Sequence, residues 1–232
     1  CGASDPSVSP EPDEQLVYQF NGSGYTVTGI GTMSDAVLTI PSIYNGHSVT
    51  EIGGSAFKGI TWLSDVTIPD SVTIIGGSAF FGCTGLTSID IPDSVTSIGG
   101  SAFYGCSGLE SVVIPGSVTE IGGGAFDGCT GLKSIDIPDS VTSIGSGAFR
   151  SCAGLKSIDI PDSVTSIGDY AFGGCSGLES VVIPDGMNNI SSGMFWYCTK
   201  LESVVIPNGV ISIGSYAFSG CASLESIAIP NS

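Results

Sequence analysis

Positive charge is almost missing from this chain. Five Lys and Arg stand against 22 Asp and Glu, for a net charge of −17. A surface of that sign repels phosphate backbones and anionic headgroups, so nucleic acid is not an expected partner. Histidine is nearly missing as well. His47 stands alone, beside the Asn45-Gly46 turn, and reads as a turn residue. One imidazole cannot activate a whole series of thiols, nor is there a C-x-x-C or Cys/His cluster for zinc. No apolar run approaches the ~18 residues of a membrane-spanning helix. A phosphate-binding G-x-x-x-x-G-K-[ST] is absent, and G-I-G-T-M-S at 29–34 lacks the third glycine of a dinucleotide loop.

What the chain does have is a repeat of 23 residues. Proline marks it at Pro69, Pro92, Pro115, Pro138, Pro161, Pro184, Pro207 and Pro230. Phenylalanine keeps the same interval from Phe57 to Phe218, and cysteine from Cys83 to Cys221. A fixed period of this length marks a solenoid, whose units bury their apolar faces only by stacking. Eight rungs on one axis follow, about 40 Å long at the ~4.8 Å spacing of parallel strands.

Within a repeat, Ile89 and Ile91 alternate with Ser88 and Asp90 in L-T-S-I-D-I-P, the period-two mark of a strand with one buried face. S-V-T-S-I-G (94–99) reads either as a second short strand or as an extended corner. G-S-A-F-Y-G-C (100–106) is too short for an independent helix and predicts one helical or 3-10 turn with Ala102 and Phe103 inward. Ahead of the repeats, 16–20 and 25–30 flank Asn21-Gly22 as a β-hairpin, and 37–41 reads as a third strand. Residues 16–47 are expected to cap the stack, and 48–232 to form the repeat domain. Residues 1–15, polar, acidic and Pro-rich, have the composition of a disordered tether.

The spacing L-x-x-I-x-I-P, with A-F-x-G-C before it, resembles the BspA-like leucine-rich repeats of bacterial surface proteins from about residue 48 to 230. The resemblance implies a right-handed α/β leucine-rich repeat solenoid, mostly β with short helical or 3-10 turns, a parallel sheet and an N-terminal hairpin cap. It also implies a non-enzymatic binding module that adheres to a host or bacterial surface protein or glycan, with no cofactor; a structural spacer is the alternative. Departures are local. Ile60 and Trp62 replace Cys and Gly in the first repeat. In the seventh, Met187, Asn188, Asn189, Ser191 and Met194 replace Val, Thr, Ser, Gly and Ala, changes expected to keep the core and alter the nearby surface. A chain starting Cys1 and followed by a tether is similar to a mature bacterial lipoprotein, lipid-anchored at the cell surface through Cys1; otherwise the protein is secreted, or the numbering simply starts there.

The repeated columns read as structural. Seven cysteines at one position suit an interior ladder of free thiols bonding to turn carbonyls. The aspartates after the prolines suit turns. Asp136 and Asp159, on adjacent rungs, read as solvated strand residues before they read as a calcium or acid–base pair. Positions that vary are the ones open to a ligand. After the phenylalanine stand Lys58, Phe81, Tyr104, Asp127, Arg150, Gly173, Trp196 and Ser219, with Tyr197 alongside and Tyr170 and Tyr216 near. Phe81, Tyr104, Arg150, Trp196 and Tyr197 are candidate anchors, since exposed Trp, Tyr and Arg dominate contact energies. The outward strand column turns apolar at Val182, Val205 and Ala228, a second candidate surface.

Overall fold

The computed structural model describes residues 15–230. Among them are eighteen short strands and no helix. Strands β1 (Leu16–Phe20) and β2 (Tyr25–Ile30) form the antiparallel hairpin, closed where Asn21 Oδ1 accepts from the amides of Ser23 (3.1 Å) and Gly24 (2.9 Å). β3 (Val37–Thr39) lies beyond, and β4 (Ile43–Tyr44) turns through Asn45 and Gly46, both at positive φ, into β5 (His47–Ile52). His47 therefore opens a strand; the turn ends one residue earlier. β2 pairs in parallel with β5, so the hairpin closes one end of the stack. β3 already pairs in parallel with Asp65–Thr67, Leu38 opposite Val66. The repeat ladder thus begins at Val37, inside the segment whose atypical pattern suggested a cap.

Rungs beyond contribute to two parallel ladders, except that 157–159 makes only isolated bridges and 225–230 forms no strand. One contains three-residue strands such as Ser88–Asp90, Ser111–Val113 and Ser134–Asp136, with only the middle residue buried. The other contains two-residue strands, Ser97–Ile98, Glu120–Ile121 and Ser143–Ile144 among them. This settles S-V-T-S-I-G as a strand.

The third side of the rung is not a helical turn. Ala102, Tyr104 and Cys106 donate back to the carbonyls of Gly99, Ser101 and Phe103, but the amides between them reach the next rung. Ser101 donates to Gly123 (2.9 Å), Phe103 to Ala125 (2.8 Å) and Gly105 to Asp127 (2.7 Å). A 3-10 helix would close every one of those bonds locally. Left-handed φ at Ser101 (56°) and Gly105 (70°) breaks the helical path and aims alternate amides along the axis.

Inside, Phe57 to Phe195 are fully buried, and rings on consecutive rungs lie nearly parallel, 5.2 to 5.7 Å apart. Beside this spine each thiol from Cys83 to Cys221 donates to the carbonyl of the phenylalanine of the preceding rung, as Cys106 does to Phe80 at 3.1 Å. Burial pushes these thiols up, Cys83 to about 11 and Cys129 and Cys175 to about 12. They are free, and the expected interior ladder is what the structure contains.

One column explains where the stacking lapses. The glycine closing the two-residue strand (Gly76, Gly99, Gly145, Gly168, Gly214) donates to the isoleucine carbonyl one rung back, at 2.7 to 2.8 Å. A Cβ on Gly99 would lie 2.5 Å from Gly77 N and 2.8 Å from Gly76 C, both backbone. The seventh repeat places Ser191 in that column. There the nine-stranded sheet ends at Ser166–Ile167, and Asn189–Ile190 pairs only onward, with Ser212–Ile213. The hydroxyl of Ser191 caps the Ile167 carbonyl instead. Met187 and Met194 do keep the core filled, but the substitutions reach further than the surface: they interrupt the ladder.

Candidate binding surfaces

The variable column after the phenylalanine divides into three groups. Phe81 and Tyr104 stack face to face (4.6 Å, 6°), with Lys58 Nζ 4.9 Å above the Phe81 ring. Both rings are half-buried and each covers one face of the other. Arg150 Nε lies 3.2 Å from Asp127 Oδ2, half-covering a carboxylate that is itself buried. Burial raises the Asp127 pKa, and the adjacent guanidinium partly offsets the rise. Phe81, Tyr104 and Arg150 are thus partnered within the chain.

Beyond Gly173 the column changes character. Trp196 and Tyr197 meet at 4.5 Å and 65°, and Tyr170 from the preceding rung approaches Trp196 edge-on at 6.0 Å and 83°. Trp196 is 38% exposed, Tyr197 52% and Tyr216, one rung on, 67%. All three tyrosines have left-handed backbone: Tyr170 at φ 56°, Tyr197 at 54° and Tyr216 at 60°. In other rungs the same two positions carry Gly or Ser. Holding a bulky residue there costs about 1–2 kcal/mol each. The conformation turns the rings along the axis, Tyr170 over Gly193 and Tyr197 over Gly220, and a Cβ on either glycine would collide with the ring above it. Backbone bonds continue across this face: Tyr170 donates to Ser192 (2.9 Å) and Tyr197 to Ser219 (2.8 Å). The sequence pointed to Trp196 and Tyr197 with Tyr170 and Tyr216 near; the structure packs Tyr170 edge-on against Trp196.

On the strand side, Val182 and Val205 stand directly opposite each other on paired strands, 61% and 57% exposed. A further aromatic cluster, not anticipated from sequence, covers the hairpin. Tyr18 stacks on Tyr44 at 3.9 Å, and Phe20, Tyr25 and His47 pack edge to face at 5.3 to 6.2 Å. The signal was present in the register the Asn-Gly turn imposes, which sets Phe20 opposite Tyr25. Among the described residues no group of three His, Cys, Asp or Glu is placed to hold a metal ion. Cys1, read as a lipid site, lies outside the described residues.

Parallel strands stacked every 23 residues around a phenylalanine spine define a leucine-rich repeat solenoid. The chain belongs to the BspA type leucine rich repeat family, whose model matches residues 35–156 and 119–232. It is similar to the leucine-rich repeat protein TpLRR of T. pallidum, 32% identical over 92% of this chain and 90% of that one, with a TM-score of 0.64. A leucine-rich repeat protein of Bacteroides ovatus is 28% identical over 94% of this chain and 70% of its own, also at 0.64. No curated protein matches the chain.

Proposed function

We propose that this chain is a non-enzymatic binding module of the bacterial cell surface, which holds a host or bacterial surface protein or glycan on the aromatic turn face around Trp196. The observation that carries this reading is the set of left-handed tyrosines. They hold left-handed backbone at positions where the repeat otherwise supplies Gly or Ser, and residues held in such backbone cluster at ligand sites. Exposed Trp and Tyr supply rigid contact area at little entropic cost. Membership of a surface-protein repeat family supports the location, with a lipid on Cys1 as anchor and residues 1–15 as tether.

The test is an array of extracellular matrix proteins and glycans probed with the full chain. Trp196→Ala should abolish capture of the ligand found there without lowering the melting temperature. An array with no hit would favour the spacer reading. For the anchor, Cys1→Ser should release the protein into the medium; membrane retention of that variant would reject it.

A further inference from the structure

The strand face of the last rungs carries an apolar stripe beside an acidic one. Three residues before each outward strand position runs the column Glu110, Lys133, Lys156, Glu179, Glu202, Glu225. Its first part answers itself, since Lys133 Nζ lies 2.6 Å from Glu110 Oε2. Its last part does not: three exposed glutamates occupy consecutive rungs. The Glu202 amide donates to the Glu179 carbonyl at 2.9 Å, which holds these two side chains in register. Like charges held one rung apart repel, which a cationic partner would relieve. Among the described residues the ion pairs are Lys133–Glu110 and Arg150–Asp127; neither Lys156 nor Lys200 reaches one of these glutamates. On the same rungs the outward strand column changes from Asp136 and Asp159 to Val182, Val205 and Ala228, all exposed.

We propose that these two stripes are the docking surface for a basic amphipathic helix of a partner protein, its Lys or Arg side chains on Glu179, Glu202 and Glu225 and its aliphatic side chains on Val182, Val205 and Ala228. Charge complementarity fixes the sign of the partner, because a chain of net charge −17 concentrates uncompensated acid beside its exposed valines. Geometry selects the helix. Rungs ~4.8 Å apart nearly match a helical turn of ~5.4 Å, so residues i, i+4 and i+7 meet three successive glutamates. Same-face residues of an extended strand repeat every ~6.8 Å and fall about 4 Å out of step over three rungs. Glu179 and Glu202 each stand one residue ahead of the strand whose outward end carries Val182 or Val205, so the acidic stripe borders the apolar one along the same pair of strands. The surface is separate from the Trp196 cluster and does not depend on it.

The probe is a synthetic peptide of about four helical turns, with Lys at i, i+4 and i+7 and Leu or Ala along one flank, followed by fluorescence anisotropy against the full chain. The control has the same composition with Lys at i, i+2 and i+4. The helical peptide should bind wild type, and the Glu179→Gln/Glu202→Gln/Glu225→Gln variant about tenfold more weakly, the product of three exposed pairs worth roughly twofold each. Val182→Ser/Val205→Ser should weaken it comparably, while Trp196→Ala should leave it unchanged. Circular dichroism checks that every variant is folded. Equal affinity for the triple variant or for the control peptide would overturn the proposal, as would loss of binding in Trp196→Ala. Sedimentation showing a wild-type dimer that Val182→Ser/Val205→Ser dissolves would overturn it too, by naming a second copy as the occupant.

Discussion

Replacing Gly99 by serine carries the defect of the seventh repeat into the middle of the ladder. The new Cβ would sit 2.5 Å from Gly77 N and 2.8 Å from Gly76 C and Gly77 Cα. These are backbone atoms, which no rotamer change can move aside. Reaching an ordinary contact of ~3.5 Å means displacing the strand by about 1 Å. The bond that suffers is Gly99 N to Ile75 O, now 2.8 Å. Overpacking of this kind costs about 1–3 kcal/mol, and a buried amide left without its acceptor about 1–3 more. The serine hydroxyl can recover a carbonyl, as Ser191 does for Ile167, so the net loss is about 2–4 kcal/mol.

Urea titration followed by tryptophan fluorescence measures that loss, and hydrogen exchange locates it. Protection of the amides at 97–99 should fall while that of distant rungs persists, because each rung contacts only its neighbours. Ser191→Gly is the reciprocal change. It should extend the sheet from Ser166–Ile167 to Asn189–Ile190 and slow exchange at 189–191 about fivefold or more, the worth of one net hydrogen bond. If Gly99→Ser were neutral and Ser191→Gly left exchange unchanged, close approach would not be what fills this column with glycine, and the explanation of the break would fail.

Phe126→Ala removes a fully buried ring stacked 5.3 Å from Phe103 and 5.5 Å from Phe149. It should cost about 3–5 kcal/mol and split the melt into two transitions as the halves uncouple; a single unshifted transition would contradict the spine. Alkaline pH tests the thiols. In the unfolded chain they ionise near pH 9, whereas burial holds Cys83 to about 11 and Cys175 to about 12. Stability should therefore be level below pH 9 and fall from there upward by about 1.4 kcal/mol per pH unit for each thiol. A melting temperature unchanged to pH 11 would refute this. Tyr197→Gly relieves left-handed strain but gives up ring packing on Gly220, so the melting temperature should hold within a few degrees while ligand capture on the array is lost. Retained capture would clear Tyr197 of a binding role.

The period of the prolines, phenylalanines and cysteines made the stack legible, because burial repeats with it. What the sequence hid has local causes. A strand of two residues is too short to show alternation, so Ser97–Ile98 read as a strand or as a corner. The A-F-x-G-C segment looked helical because its residue types suit a turn, and the alternation of local and inter-rung amide bonds has no signature in composition. Val37–Thr39 looked like part of a cap because the residues following it, 42–47, are longer than the later links. Trp196 and Tyr197 stood out as variable residues, but the role of Tyr170 emerges only when its position is compared with the glycines at the same φ. The hairpin aromatics were passed over because each looked like an ordinary strand residue.

The departures share the same rungs, and the hydrogen bonding explains how they coexist. Between the sixth and seventh repeats the two-residue strands no longer pair, and just before them the outer ladder thins to isolated bridges, Asp136 to Asp159 and Ser157 to Ser180, then resumes where Ser180–Val182 pairs with Ser203–Val205. The turn side runs on without interruption, with Phe172 donating to Met194 (3.0 Å) and Gly174 to Trp196 (2.5 Å). The edge that carries the aromatic cluster is therefore the one along which bonding to the last rungs is most continuous. Contact there can be rigid, since continuous bonds fix Tyr170 against Trp196. On the strand face, Val182 and Val205 lie in a two-stranded sheet of their own, paired over three residues with each other but joined to the preceding rung only by the bridge from Ser157 to Ser180. The two breaks are distinct: Ser191 interrupts the two-residue ladder, while the three-residue ladder thins at 157–159 and resumes with Val182 opposite Val205.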